Sequence, residues 1–294
     1  MCALCTLFSL WLQAQAVPDR QVVPDEEVVT KTGIEHIDEL RKAILMVYYG
    51  TSDDSVRTVS IDAMTEKVRR AFPKYEVRDA FTSKGAIRAL KRRTGIEKPI
   101  PWDALLQLRN DGYNSVIVGN GDLIAGDDTQ ILEKEICELY PRFFEIKLTT
   151  PLLYTAEDCQ RVMDILVGKV HAQEDEQVVF VGHGKDGAAN DVYCLVDYIL
   201  QHEGHPNCHV GTIAGYPSLE NIKRILKQTG TRKVVLVPLI MIAAGHATKD
   251  IFKTWREELE AEGYTVRLVR TAVQEYPEIQ QQIIEKIKKV DEEP

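Results

Sequence analysis

No apolar run in this 294-residue chain is long enough to cross a bilayer, which argues against a membrane-spanning helix. Basic residues are too few and too scattered for a phosphate-binding stripe. Lys and Arg number 36 against 45 Asp and Glu, giving a net charge of -9, and a nucleic-acid partner is disfavoured. Beyond residue 16 the cysteines are Cys137, Cys159, Cys194 and Cys208, and none has the Cys-x-x-Cys spacing of zinc or redox sites. Their apolar surroundings predict buried thiols. Nucleotide and hydrolase signatures are missing too. Gly182-His183-Gly184-Lys185-Asp186-Gly187 lacks the Walker spacing, Gly119-x-Gly121 with Gly126 does not make a dinucleotide fingerprint, and no Gly-x-Ser-x-Gly elbow occurs.

What is present is a chain 44% hydrophobic and 28% charged, enough for one large core or two medium ones. Met1 to Ala16 carries no charge and closes on Ala14-Gln15-Ala16, so residues 1–16 read as a signal peptide and residues 17–39 as a polar linker. Export to the periplasm or a membrane-associated location is the expectation, and a cytoplasmic one if that segment is not a signal.

From residue 40 the pattern alternates between short Val/Ile/Leu runs and amphipathic stretches, which predicts an α/β fold with parallel sheets. Strands are predicted at 43–49, 76–81, 115–118 and 143–148, then again at 178–181, 209–213, 234–242 and 265–269. The order of elements repeats. Val116-Ile117-Val118 with Ile124-Ala125-Gly126-Asp127 echoes Val235-Leu236-Val237 with Ala243-Ala244-Gly245-His246, so an internal duplication gives two doubly wound halves, 40–150 and 151–294. Each half is expected to have strand order 2-1-3-4 with a crevice between its first and third strands. The closing amphipathic helix, 277–290, with Ile279, Ile283, Ile284 and Ile287 on one side, is expected to pack back on the first half.

Two histidines stand where strands of the second half end. His183 lies in Gly182-His183-Gly184 and His246 in Gly245-His246-Ala247, and both are expected to flank one crevice. The first half has no such pair. Its strand-one end is Tyr49-Gly50-Thr51 and its counterpart of His246 is Asp127, so it is expected to supply a facing wall through Tyr49, Thr51 and Asn120. His36, His171, His202 and His205 fall in polar segments and read as surface residues, whereas His209 falls within a strand.

The Tyr-Gly-Thr-Ser opening, the Gly-His-Gly turn, Gly215-Tyr216-Pro217 and the Pro-Leu-Ile-Met-Ile-Ala-Ala-Gly-His-Ala run with Asp250 after it resemble the class II tetrapyrrole chelatases. Among these the anaerobic sirohydrochlorin cobaltochelatase is the nearest branch, and the resemblance covers nearly everything from Lys42 onward. It implies two similar halves with a cleft between them and insertion of Co2+ or Fe2+ into a porphyrin-like ring, with no nucleotide. It further implies that His183 is the principal metal ligand and proton acceptor and His246 the second ligand. Lys185 and Tyr216 join Tyr49, Thr51 and Asn120 as substrate-binding candidates, and Lys249 and Arg270 are further cations near strand ends. A homo-oligomer is compatible with this picture.

Two positions depart from the family pattern. Ala214 stands where a glutamate usually precedes the Gly-Tyr-Pro turn, and Gly119-Asn120-Gly121-Asp122 replaces a Gln-Ser-Leu-His stretch. Asp186, Asp191 and Asp250 are the carboxylates available to compensate. The exported relatives of this fold suggest a rival reading, a haem-binding or haem-iron-removing protein in which the histidines are axial ligands. A third reading is a two-lobed periplasmic solute-binding protein, with the histidines as hydrogen-bonded turn residues.

Overall fold

A computed structural model describes residues 40–243 and 249–293. The expected signal peptide and linker, and His246, lie outside the described residues. Two four-stranded parallel sheets carry the fold. The first comprises β1 Lys42–Tyr48, β2 Glu76–Phe81, β3 Ser115–Asn120 and β4 Glu145–Leu148, and the second β5 Glu176–Gly182, β6 Cys208–Thr212, β7 Lys233–Leu239 and β8 Thr265–Leu268. Their orders, β2-β1-β3-β4 and β6-β5-β7-β8, are the predicted 2-1-3-4 arrangement twice over. Strand β7 ends at Leu239, three residues short of its predicted end at 242. Its neighbours run out at or before that level, Gly182 opposite Leu239 and Leu268 opposite Leu236, so the chain beyond has no strand to pair with.

The helices are α1 (residues 54–71), α2 Lys84–Thr94, α3 Pro101–Asn110, α4 Asp127–Leu139, α5 Ala156–Val170, α6 Asp191–His202, α7 Leu219–Thr229, α8 (residues 250–261) and α9 Pro277–Glu292. Within α1 and α8 the segments Arg57–Asp62 and Asp250–Trp255 widen into π-helical turns. Each sheet is apolar on both faces, as parallel strands with helices on either side must be. The outer face of the first sheet, Ala43, Leu45 and Val47, packs on Leu105 and Leu108 of α3 and Leu132 and Ile136 of α4. The outer face of the second, Val179 and Val181, packs on Leu226 of α7 and Ile251 and Trp255 of α8. Their inner faces share one core: Ile44 and Met46 of β1 and Phe180 of β5 belong to the same cluster as Met64 of α1, Leu166 of α5, Val196 of α6 and Ile287 of α9.

The duplication exchanges its last helices. Helix α5 follows β4 of the first half yet packs on α6 of the second, and α9 follows β8 yet packs on β3 and α1 of the first. Lys42 of β1 pairs with Asp291 of α9, and Lys286 of α9 reaches Asp158 of α5 at 2.8 Å. A Cβ on Gly119 would lie 2.4 Å from Met46 Sδ, so a side chain there would have to displace the Met46 thioether, while Ile287 of α9 lies at ordinary contact distance, 3.6 Å.

The four cysteines among the described residues are free and not uniformly buried. Cys159 and Cys208 are core residues whose thiols burial pushes up to about 11 and about 12, but Cys194 is half-buried and Cys137 is exposed on α4. The expectation of four buried thiols is corrected at Cys137, because Leu132, Ile136 and Leu139 form the buried stripe of α4 and Cys137 falls off it. Among the described residues no helix is long and apolar enough to cross a membrane.

Candidate active site

Strand β5 delivers His183 to the carboxyl edge of the second sheet and the chain turns immediately. Gly184 has φ +72°, a conformation L side chains rarely adopt, and a Cβ there would lie 2.6 Å from Thr212 Cβ and 2.9 Å from the Gly215 nitrogen. The turn is tied to the neighbouring strand end by Ile213 N–H donating to Gly182 O and Ala214 N–H donating to His183 O at 2.8 Å. Beneath it lies Tyr193 of α6, whose ring occupies the place a Cβ on Gly182 would take. Burial pushes the Tyr193 phenol up, opposed by the backbone N–H groups of Gly184 and His183.

His183 itself is exposed. Its Nδ1 lies 2.8 Å from Gly184 O. A carbonyl oxygen only accepts, so Nδ1 is the donor, which leaves Nε2 as the ring nitrogen available to a metal. That is the tautomer a metal-ligating imidazole needs.

Asn190, buried at the start of α6, joins the two loops around this histidine. Its Nδ2 donates to the Tyr216 carbonyl at 2.6 Å and its Oδ1 accepts from the Lys185 N–H at 3.2 Å. Tyr216 is thereby held on the surface with its ring 59% exposed. The Lys185 side chain reaches the other half and forms an ion pair with Asp127 at the start of α4. Ala214, the position lacking the family's glutamate, is exposed beside Tyr216, while Asp186 is exposed on the His183 turn and Asp191 at the start of α6.

The first-half candidates separate. Tyr49 is 58% exposed at the end of β1, but Thr51 and Asn120 are each only 5% exposed. Thr51 Oγ1 accepts from the Asp53 N–H, within the turn that Asp53 completes by capping α1. Asn120 Nδ2 donates to Thr129 Oγ1 at 3.3 Å and its Oδ1 accepts from the Asp122 N–H at 2.9 Å. Both side chains therefore organise their own turns, and of the three expected wall residues Tyr49 alone is free to face a ligand.

Beside Asn120 is a group the residue pattern did not single out. Asp122 is largely buried, accepts from Thr129 Oγ1 at 2.8 Å, and is pushed up to about 6 chiefly by that burial. Its sequence signal is faint, an acid after a glycine turn. His209, by contrast, is a sheet residue: burial pulls it down to about 4, and its ring is held by Gln177 and Gln201. Among the described residues no three His, Cys, Asp or Glu side chains form a ready metal cluster.

Between the halves lies an open cleft of about 310 Å³, walled by Ile124, Leu153 and Tyr154 on one side and Ala188, Asp191, Val192 and Leu195 on the other, with His183 outside its lining. A larger groove of about 560 Å³ runs between α6 and α7 past Tyr216, but it has no wall from the first half.

The comparisons with known proteins agree with this geometry. The chain is 30% identical over 229 residues to the sirohydrochlorin cobaltochelatase of Salmonella typhimurium, covering 76% of this chain and 86% of that one. It is 28% identical over 254 residues to the sirohydrochlorin cobaltochelatase CbiKC of Nitratidesulfovibrio vulgaris, covering 82% and 88%. In fold it matches SirB from Bacillus subtilis with Fe3+, at a TM-score of 0.63 and 17% identity over 85% of this chain and 96% of that one. The model of the family Cobalt chelatase (CbiK) matches residues 42–292, essentially the whole of the two-sheet unit, and the chain belongs to that family of tetrapyrrole metal chelatases.

Proposed function

We propose that this chelatase inserts Co2+ or Fe2+ into a tetrapyrrole and that His183, with His246, handles the metal. Sirohydrochlorin is the ring in its relatives' names, and cobalt or iron is the metal their names and structures carry. The observation that carries the assignment is the exposed His183 ring, locked by Gly184 O in the tautomer that leaves Nε2 open. Neutral imidazole suits cobalt and iron, and few protein ligands leave coordination positions for ring nitrogens. As the ion passes to the ring, His183 Nε2 is vacated and accepts one of the two pyrrole protons that must leave. Asp186 on the same turn, or Asp191 at the start of α6, takes the second where the family's glutamate is replaced by Ala214. Tyr49, Tyr216 and Lys185 are the exposed or half-exposed side chains placed to meet the macrocycle.

Metal insertion is followed by the absorption change of the ring. His183→Ala is expected to slow it about 100-fold or more, the size of effect seen when a group acting in the transition state is lost, and Tyr49→Ala far less. A His183→Ala protein retaining a tenth of the rate would sink the assignment. The uncharged Met1–Ala16 segment supports export, which fractionation of producing cells tests: a chain found only in the cytoplasm, with Met1–Ala16 uncleaved, would overturn it.

A further inference from the structure

Helix α2 has no counterpart in the second half. Strand β6 reaches β7 through α7 alone, whereas β2 reaches β3 through two helices, α2 and α3. Since α3 is the crossover that covers the outer face of the sheet, α2 is an addition. Its excursion begins and ends at the carboxyl edge. Thr82 N–H donates to Tyr48 O at 2.9 Å and Ser83 N–H to Tyr49 O at 3.1 Å as the chain enters α2, and Pro99 O accepts from the Phe81 N–H at 3.0 Å after it leaves. From the last turn Arg93 Nη1 donates to Ser52 O at 3.1 Å. Both ends of α2 are therefore bound to the loop that carries Tyr49, the first-half residue free to face a ligand. Leu90 is its one buried residue, packed with Ile87 and Ile96 on the core shared by the two halves.

The rest of α2 is cationic. Residues 80–96 hold Lys84, Arg88, Lys91, Arg92 and Arg93 and no acid, in a chain of net charge -9. All five are exposed, and among the described residues only Lys91 has an ion-pair partner, Glu97. The other cation-rich stretch, 223–233, is discharged by its neighbours: Lys223 and Lys227 pair with Glu262, and Lys233 with Asp175. Helix-end chemistry does not account for α2. Cations in the last turn suit the negative end of the dipole, but Lys84 in the first turn and Arg88 midway do not, and Lys84, Arg88 and Arg92 form a row of like charges four apart that weakens the helix. An anion from outside the chain relieves that repulsion.

We propose that α2 is the element that binds the carboxylates of the tetrapyrrole, with Arg88, Arg92 and Arg93 taking acetate and propionate groups at the edge of the ring. Guanidinium groups match carboxylates in paired, charge-assisted hydrogen bonds. Arg93 can hold Ser52 O through Nη1 and still offer its remaining N–H donors to a carboxylate. The two halves then divide the reactants by charge. Exposed Asp186 on the His183 turn and Asp191 at the start of α6 attract the metal cation, and α2 beside the Tyr49 loop attracts the anionic ring. This rests on the chelatase reading of the site and adds the element that holds its substrate.

The test uses the full chain and two metal-free rings: sirohydrochlorin, which bears acetate and propionate groups around its edge, and mesoporphyrin, which bears two propionates. Binding is followed by quenching of ring fluorescence and Co2+ insertion by absorption. The double variant Arg88→Gln/Arg92→Gln is expected to weaken sirohydrochlorin about tenfold or more, the loss of charge-assisted bonds, and to raise its KM while kcat stays within about twofold. Mesoporphyrin, whose fewer carboxylates can stay in water, should weaken less than about threefold. Added salt should weaken sirohydrochlorin less in the variant than in the unaltered chain. Arg70→Gln/Lys74→Gln removes the same charge from exposed positions on the same half and should change neither ring. Unchanged sirohydrochlorin affinity in the α2 variant, or an equal loss in the Arg70/Lys74 control, overturns the inference, and Co2+ insertion that still depends on His183 leaves the chelatase reading standing. Sirohydrochlorin binding that depends on Arg88 and Arg92, in a chain that inserts no metal, upholds the role of α2 and defeats the chelatase reading.

Discussion

The ends of β1 and β5 are the same device with different chemistry. Tyr49 follows β1 and His183 follows β5, each is exposed, and each is followed by a glycine of positive φ, Gly50 at +91° and Gly184 at +72°. The first half then closes its turn with side chains: Asp53 Oδ1 accepts from the Ser55 and Val56 amides and caps α1. The second half does not. Asn190, at the equivalent helix start, makes no cap bond and instead holds Lys185 and Tyr216 in place. One copy of the duplication thus uses its polar residues to finish a helix, and the other uses them to shape loops around an imidazole.

The third strands differ in the same sense. Asn120 pairs in register with Val47, and Pro238 with Val181, so Asp122 and Ile240 stand at matching distances beyond. The first half places a half-buried acid where the second buries an isoleucine. Chemistry and stability have been divided unequally between two copies of one fold.

The largest test of this comparison is a pair of glycine substitutions. A Cβ on Gly50 would meet Phe81 Cδ2 at 2.3 Å, and one on Gly184 would meet Thr212 and the Gly215 backbone, both at positive φ. Gly50→Ala and Gly184→Ala are each expected to lower stability by about 2–4 kcal/mol in urea unfolding, from overpacking plus backbone strain. Only Gly184→Ala should also slow metal insertion when assayed where both proteins remain folded. Equal slowing by Gly50→Ala would break the asymmetry between the halves.

Next in size is the buried acid. Asp122 has its folded pKa raised from 3.8 to about 6, so the native state holds this proton more tightly than the unfolded chain does. Stability conferred by the protonated carboxyl is therefore present below about pH 4 and lost as pH rises through about 6, a cost of up to about 3 kcal/mol at neutral pH. Asp122→Asn should remove that dependence, so that unfolding midpoints at pH 4.5 and 7.5 differ less than in the unaltered chain. An unchanged difference between the two midpoints would show that the burial costs nothing.

The smallest effect is expected at the bridge between the halves. Asp127 is mostly exposed, and Lys185→Ala should cost less than about 1 kcal/mol of stability, the usual worth of a surface ion pair. A loss above about 2 kcal/mol would make the bridge a structural strut.

Much of this was legible before any coordinates. The strand runs, the repeat of element order and the glycines around His183 are local patterns, and local patterns carry periodicity and turn chemistry directly. Thr51 and Asn120 show where legibility stops. Each is a polar residue at or near a strand end, as Tyr49 is, but the Thr51 hydroxyl accepts from the Asp53 amide and the Asn120 amide donates to Thr129, and only the structure shows which side chains are so engaged. Asn190 is the converse case, a polar residue with no motif, one of whose bonds reaches Tyr216, 26 positions away in sequence.

The sequence by itself determined two parallel sheets of one strand order, the placing of His183 at a strand end, and the family to which the chain belongs. Tertiary structure alone decided that the last helix of each half packs on the other, that Asp122 is an elevated acid, that Gly184 O faces His183 Nδ1, and that the cleft walls between the halves are largely apolar. The reason is physical. Strand and helix signals depend on neighbours a few residues away, whereas burial, hydrogen-bond partners and the field at a site depend on segments brought together from across the chain.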